Sequence, residues 1–514
     1  MKLTSKESVM RNELIFTPDA KSVHIENVLL NLFMLLNSNG LRPKALLSAE
    51  EVKKEDSVEQ ILRYFTVLEE KKEVSGFLDY REPALAWIRC NLVNMTKRGQ
   101  SGERVSSLRP IHLESYKIRN ANHARDYNTA DQVYLMLNVA PHIKEDLKNF
   151  LSEGWDKSNG KIGNVTALDI DSFGILTLIK NRKTKEIQQN PTSIPQIKPL
   201  LESQAILFCD DVRRILLYKK VIPRSVLLDY LMTIISFHLS IYLQKLVRLL
   251  PKMIKAGTKD INTDWSIVLD LTDNLDSEIS IISIEDAEKV MTGMRDYIKA
   301  TFQINTALAK LDLSRDNSKH LDRALKYLKD NPMELEAYCQ AQWNNLQLEE
   351  DEEEIVRSFS DYEASYFGKW TELLMQQKGA SQNKRYVELI DKISFKNDER
   401  GLMAQGRSRK HPRRFVLGTR LLETLTQISL IDESGGMITS RPLSIEELME
   451  FLRKRYGLII NGLSEIRFKD ADIKVILAFK ENVDAFKKKL RDIGFYNDLS
   501  DAFILQKIRP RYRL

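Results

Sequence analysis

Residues 230–243, YLMTIISFHLSIYL, form a nearly unbroken apolar run between Asp229 and the pair Gln244-Lys245. At about fourteen residues the run is shorter than the roughly twenty needed to cross a bilayer. A chain that carries such a run must therefore bury it against its own side chains, as a core helix. The surrounding sequence is built for that purpose. Residues 205–256 read as two strongly apolar helices broken near Pro223, and 285–347 as amphipathic helices interrupted at Asp316-Asn317 and Asn331-Pro332. Residues 57–70 place Val58, Ile61, Leu62, Phe65 and Leu68 on one stripe behind a capping Asp56-Ser57.

Alternating, strand-like patterns are few: 167–179 (ALDIDSFGILTLI), 265–271 (WSIVLDL) and 473–479 (IKVILAF). The fold class expected is mainly α, a multi-domain helical scaffold with small β elements. A length of 514 residues is too great for one core. The expected divisions are an N-terminal helical region with a small β element at 1–180, a central helical scaffold at 200–375, and a C-terminal domain at 410–514. The polar stretch 181–199, with Pro191, Pro195 and Pro199, reads as the linker between the first two. HLDRALKYLKDNP at 320–332 has the form of half a helical hairpin, but no repeat of it follows.

Composition narrows the partners. The 78 basic residues are nearly cancelled by 72 acidic ones, leaving a net charge of +6, so attraction to nucleic acid depends on where the charge is placed. Cys90, Cys209 and Cys339 form no CxxC pair, as expected in a reducing compartment. The start, MKLTSKESVMRNELIF, lacks the apolar core of a secretory signal. Cytoplasm is the expected location, and no membrane partner is expected.

The basic charge gathers near the C-terminus. GRSRKHPRRFVLGTR at 406–420 carries Arg407, Arg409, Lys410, Arg413, Arg414 and Arg420 with no acid among them. Behind it, Leu421, Leu422, Leu425 and Ile428 make a helical stripe that ends before ESGG (433–436). Ser444-Ile445-Glu446-Glu447 then reads as a capping box opening a second helix. A third helix is expected over 482–493, with Lys487, Lys488, Lys489 and Arg491 on its outer side and Gly494 as its stop. Residues 495–510 can make a strand, a turn and a strand. The order resembles a winged-helix domain, although about twenty-five residues, 457–481, separate its second and third helices. In such domains the third helix enters the major groove. The resemblance would thus give phosphate or base contacts to Lys487, Lys488, Lys489 and Arg491, with Arg509, Arg511 and Arg513 at the wing or tail. Clustered Lys and Arg neutralise phosphates and release counterions, so the nucleic-acid-binding residues expected are Arg407, Arg409, Lys410, Arg413, Arg414, Lys487, Lys488, Lys489 and Arg491. The competing reading is a solvated helix exterior.

Candidate chemistry is sparse. GWDKSNGK (154–161) has glycines one residue too far apart for a phosphate loop and Ile162 where Ser or Thr would hold magnesium. The histidines at 24, 112, 123, 142, 238, 320 and 411 make no HExxH or HxH cluster, and His238 amid apolar neighbours reads as a hydrogen-bonded core residue. DLTDNLDSE (270–278) offers Asp270, Asp273, Asp276 and Glu278. Clustered carboxylates are what a magnesium-dependent nuclease needs, but turn formation and capping explain the same residues. Asp169 and Asp171 with Lys180 lack the E-x-K element of restriction-type nucleases. LEEDEEE (348–354) reads as an exposed acidic segment, with an internal decoy for the basic run as the alternative. No catalytic residue, metal site or cofactor is expected.

RRFVLGTRLLETLTQISLID, RPLSIEELMEFLRKRYGLIINGL and LSDAFILQKIRPRY resemble the C-terminal part of helical accessory subunits of multi-gene bacterial anti-phage defence systems. These are of the methylation-associated or phosphorothioation-dependent type. The resemblance implies a non-catalytic subunit that binds DNA or assembles other protein subunits. A metal-dependent nuclease subunit using Asp270 and Asp273, or a pure protein-protein scaffold, are the alternatives.

Overall fold

The structure is a computed structural model and describes residues 9–42, 58–120, 122–163, 168–180, 192–346, 363–408, 410–433, 437–495 and 507–514. It is mainly helical and divides into two compact units.

One unit comprises Val23–Pro195 and Ile222–Met232. Its helices are α1 (Ile25–Asn37), α2 (Val58–Glu70), α3 (Arg81–Trp87), α4 (Thr129–Leu137), α5 (Pro141–Leu151) and α6 (Ile170–Lys180). Three antiparallel pairs accompany them: β1 (Leu41–Arg42) with β6 (Thr192–Ser193), β2 (Val93–Thr96) with β3 (Arg104–Leu108), and β4 (Trp155–Asp156) with β5 (Lys161–Ile162). The stripe expected on 57–70 is the buried face of α2, with Val58, Ile61, Leu62, Phe65 and Leu68 packed against Ile88, Leu92, Ile175 and Ile179. The capping pair Asp56-Ser57 and most of the 181–199 stretch lie outside the described residues. GWDKSNGK is the β4–β5 hairpin, with Asp156 holding the turn through Ser158 and Asn159.

The strand expected at 167–179 is corrected by α6. The Asp169 carboxylate accepts from the Ser172 backbone N–H (2.7 Å) and starts a helix. The Ile, Leu and Thr residues of this stretch alternate too weakly to override that cap. Asp171 is engaged by the Trp87 indole N–H (2.8 Å), so neither carboxylate stands in a nuclease-like array.

The other unit takes in Met1–Ser22, Gln196–Val221 and Thr233–Leu514. It contains α7 (Glu202–Leu217), the part of α8 (Arg224–Ala256) from Thr233 onward, α9 (Glu278–Lys310), α10 (Ser318–Asp330), α11 (Pro332–Asn344), α12 (Tyr366–Leu374) and α13 (Ala380–Ile393). The breaks at Asn317 and Asn331-Pro332 fall where the sequence places them. Asn317 caps α10, and Pro332 takes the first position of α11. Helix α8 is long and apolar enough to cross a membrane by length and composition, yet 89% of its apolar window is buried in the protein. It is a core helix, as the run at 230–243 requires.

The rest of this unit is β8 (Met403–Gln405) paired with β9 (Arg413–Phe415), α14 (Thr419–Ser429), β10 (Ile431–Asp432) with β11 (Thr439–Ser440), α15 (Ile445–Tyr456), β12 (Leu458–Ile459) and α16 (Ile473–Asp492). Strand β12 pairs in parallel with β7 (Ile267–Val268), inside the stretch 265–271 read as a strand. The capping box is present: Ser444 Oγ accepts from the Glu447 N–H (3.1 Å), and the Glu447 carboxylate accepts from the Ser444 N–H (2.7 Å). Gly457 ends α15 with φ +71°, and a Cβ there would meet the Trp265 carbonyl oxygen at 2.2 Å. Only glycine permits β12 to reach β7 so soon after the helix.

The expected strand at 473–479 is likewise corrected. Asp472 accepts from the Val475 N–H (2.9 Å), and Ala478, Phe479, Asn482, Phe486 and Leu490 recur inward at helical spacing. The third helix therefore begins at Ile473, not at 482. The expected terminal hairpin falls largely on 496–506, outside the described residues, as does LEEDEEE.

Candidate functional site

The basic run is a β-hairpin held along its strands. Gln405, the last paired residue before the loop, is bound on both sides by Asn397, whose Oδ1 accepts from the Gln405 N–H (2.8 Å) and whose Nδ2 donates to its carbonyl (2.9 Å). The Gln405 side chain accepts from Lys396 and donates to the His411 carbonyl. Ser283 Oγ closes the far end, donating to the Phe415 carbonyl (2.9 Å) and accepting from its N–H (2.8 Å). Arg407 and Lys410 are exposed at the tip, and Arg409 between them lies outside the described residues.

Arg413 and Arg414 serve differently. Arg413 grips both oxygens of Asp391 through Nε (2.8 Å) and Nη2 (2.9 Å). Arg414 donates from Nε to the fully buried Asp270 (2.8 Å) and from Nη2 to the exposed Asp273 (3.0 Å). The Asp270 carboxylate also accepts from the Thr272 N–H and hydroxyl. Asp270 and Asp273 thus lie side by side, as a metal site would need, but their charge is met by a guanidinium. Among the described residues no group of three or more His, Cys, Asp or Glu has the geometry to hold a metal ion.

Helix α16 splits its cations three ways. Lys488 and Arg491 are exposed, and Lys487 pairs with Asp484 on the same helix (3.2 Å). Lys489 turns inward, where burial draws its ammonium below the usual lysine range while Asp273 and Asp270 act to raise it. The eight described residues among the nine nominated from sequence therefore separate into exposed cations, Arg407, Lys410, Lys488 and Arg491, and cations engaged or drawn in by the fold, Arg413, Arg414, Lys487 and Lys489. Arg511, expected at a wing or tail, is bound by Glu423.

A second constellation escapes sequence reading. The Lys245 ammonium, which can only donate, bonds Gln204 Oε1 (2.7 Å) and so orients the amide. Gln204 Nε2 must then donate to His238 Nδ1 (2.8 Å), which leaves Nε2–H to donate to Asp211 Oδ2 (2.8 Å). The Tyr456 hydroxyl donates to the same Asp211 oxygen (2.8 Å), and Arg455 donates from Nε to Asp211 Oδ1 (3.0 Å) and from Nη2 to Asp210 (2.6 Å). Asp211 and His238 have no exposed surface.

The sequence model of the family described as Methylation-associated defense system protein MAD7 matches residues 5–512, nearly the whole chain. The chain belongs to that family. A search of curated proteins found no match.

For this MAD7 family member, the Asp211–His238 pair has the look of a general-base dyad, but its geometry is that of a clasp. The nitrogen that would take a proton from a substrate is already occupied by Gln204. The clasp ties α7, α8 and α15 together, and its hydrogen bonds join positions as far as 245 residues apart. Sequence could have offered only the apolar setting of His238 as a signal.

The clasp is expected to make the chain acid-sensitive. Burial lowers the His238 pKa, against the opposing pull of Asp211, so the unfolded chain binds a proton there that the folded chain refuses. Burial pushes the Asp210 carboxyl up, but hydrogen bonds from Arg213, Arg455 and Arg214 outweigh it and bring it to about 2. Both shifts are downward, so both contributions are present at neutral pH. The His238 part is lost as pH falls below 6.5, and the Asp210 part as pH falls from 3.8 to about 2. Urea midpoints measured against pH should decline from 6.5 downward. His238→Gln should flatten the upper limb, and an unchanged limb would remove His238 as its source.

Proposed function

We propose that this MAD7 family chain is a cytoplasmic, non-catalytic subunit of its defence system. It contacts DNA through the β8–β9 hairpin and the exposed cations of α16, and it works beside other protein subunits. The observation that carries the DNA contact is the anchoring of the hairpin. Its strands are fixed along their length by Asn397, Asp391, Ser283 and Asp270, while Arg407 and Lys410 project from a tip that contains no acid. A rigid two-stranded ribbon fits the width of a DNA groove, and cations at its end neutralise phosphates without ordering a mobile loop first. On this reading the hairpin takes the part of a wing beside a winged-helix-like set formed by α14, α15 and α16, and Lys488 and Arg491 extend the contact.

Affinity for duplex DNA should fall steeply with salt. The double reversal Arg407→Glu/Lys410→Glu should weaken binding by about tenfold or more and flatten the salt slope by about two, one for each phosphate that is no longer neutralised. Fluorescence anisotropy over a salt series reads both quantities. A native chain that shows no binding at low salt, or a variant that binds as well as the native chain, would defeat the DNA contact.

Assembly with partner subunits is the second reading, and one surface favours it. Ile466 is 93% exposed, Ile473 74% and Leu477 51%, the last two four residues apart on α16. Large aliphatic side chains left in water over so short a stretch mark protein contact surfaces.

A further inference from the structure

The Arg414 clamp has two unequal halves. Its Nε donates to Asp270, which has no exposed surface, and the backbone at Asp270 is tied by its N–H to the Phe415 carbonyl (2.9 Å) and by its carboxylate to Thr272. That half fixes the plane of the guanidinium. The other half is Asp273, whose side chain is 76% exposed and whose backbone sits in the left-handed region at φ +55°. Lys489, reaching inward from α16, lies within electrostatic range of Asp273, Asp270 and Arg414. A single exposed carboxylate therefore rests against the Arg414 guanidinium, which β9 supplies.

An exposed ion pair is weak, because water screens it and the side chain gives up freedom to hold it. A nucleic-acid phosphate presents the same charge and a similar acceptor geometry. It also releases condensed counterions when it is neutralised, which a protein carboxylate does not. Exchange of one anion for the other leaves the buried Asp270 half intact, so the guanidinium need not reorient.

We infer that Asp273 occupies a backbone-phosphate seat formed by Arg414, and that it acts as a built-in competitor which DNA displaces on binding. The inference rests on the DNA reading above and adds a site and a regulating group to it. It also gives the chain a means of weakening non-specific retention on DNA, since every binding event must first dislodge an internal acid.

The test uses the full chain and a labelled duplex of arbitrary sequence at low salt. Asp273→Asn keeps size and hydrogen-bonding capacity while removing the charge, and the exposure of Asp273 makes a folding defect an unsuitable explanation for any gain. Binding should tighten about threefold at every salt concentration, because the native chain seats the same phosphate once Asp273 has been displaced. Glu481→Gln, an exposed acid on α16, is the control for total charge and should produce a smaller gain. Asp273→Ala should repeat the effect of Asp273→Asn. An Asp273→Asn chain that binds no better than native, or no better than Glu481→Gln, overturns the seat. If native binding is lost on reversing Arg407 and Lys410 but is indifferent to Asp273, only the seat falls. If neither the native chain nor Asp273→Asn binds duplex, the DNA reading and the seat fall together.

Discussion

Asp211→Ala is expected to cost the protein about 3–5 kcal/mol of stability, the typical penalty for removing one partner of a buried ion pair. Three donors lose their acceptor at once. Arg455, whose side chain is 17% exposed, keeps only Asp210 as a charged partner, beside a bond to the Tyr456 hydroxyl (3.3 Å). His238 Nε2–H and the Tyr456 hydroxyl are left in an apolar surrounding that includes Phe208 and Phe237. Asp211→Asn preserves shape and one acceptor, so it should cost less. Tyr456→Phe removes a single neutral donor and should cost about 1 kcal/mol. The ranking is the decisive feature, because a residue that merely fills space would give equal losses for the alanine and asparagine variants. Urea unfolding followed by circular dichroism would report it, with each unit's transition fitted separately. An Asp211→Ala chain as stable as native would show that the clasp is not a stabilising element.

Asp270→Ala should give the second-largest effect, a loss of about 3 kcal/mol or more. The Arg414 guanidinium, only 11% exposed, would retain just the exposed Asp273, and the Thr272 N–H and hydroxyl would lose their acceptor. The same variant separates the structural reading from the nuclease alternative. If Asp270 and Asp273 formed a catalytic metal site, magnesium would stabilise the native chain and not the variant, by mass action on the folded state. The ion pair predicts that magnesium leaves the unfolding midpoint of both chains unchanged. It predicts further that Asp270→Asn, which keeps the acceptor to Thr272, restores part of the loss. Magnesium-dependent stabilisation or DNA cleavage that disappears on Asp270→Ala would reverse the assignment.

The two misread strands share one cause. In both 167–179 and 473–479, β-branched and aliphatic residues give a strand-like pattern over a short window, while the deciding group stands just outside it or resembles a catalytic acid. Asp169 has the sequence setting of a nuclease carboxylate and is a helix cap. Asp472 precedes the IKVILAF window by one residue and caps α16. A short apolar run does not carry enough periodicity to separate a strand from a buried helix, so the cap decides. Where cap and stripe agree, as at Ser444-Glu447 on α15, the element is legible from sequence, and on α2 the stripe alone suffices.

The basic cluster shows how far a linear reading of charge can go. Arg407, Lys410, Arg413 and Arg414 look alike in sequence. In the fold the first two are exposed at a hairpin tip, while the other two are held by Asp391 and Asp270, 22 and 144 residues away. Lys487, Lys488 and Lys489 are consecutive, yet one pairs with Asp484, one is exposed and one is partly buried, its ammonium drawn below the usual lysine range. On a helix each step turns the side chain by roughly a third of a circle, so adjacent lysines face different surroundings.

What the sequence determined by itself is what depends on near neighbours: the helical class, the long buried helix, the breaks at Asn317 and Pro332, and the capping box at Ser444. These follow from periodicity and from hydrogen bonds that close within a few residues. Only the tertiary structure decided which charges meet, because the pairing of Asp211 with His238 and Arg455, or of Asp270 with Arg414, is set by how distant helices pack. An ionic group takes the partner that packing brings within reach, and the sequence holds no local trace of that choice.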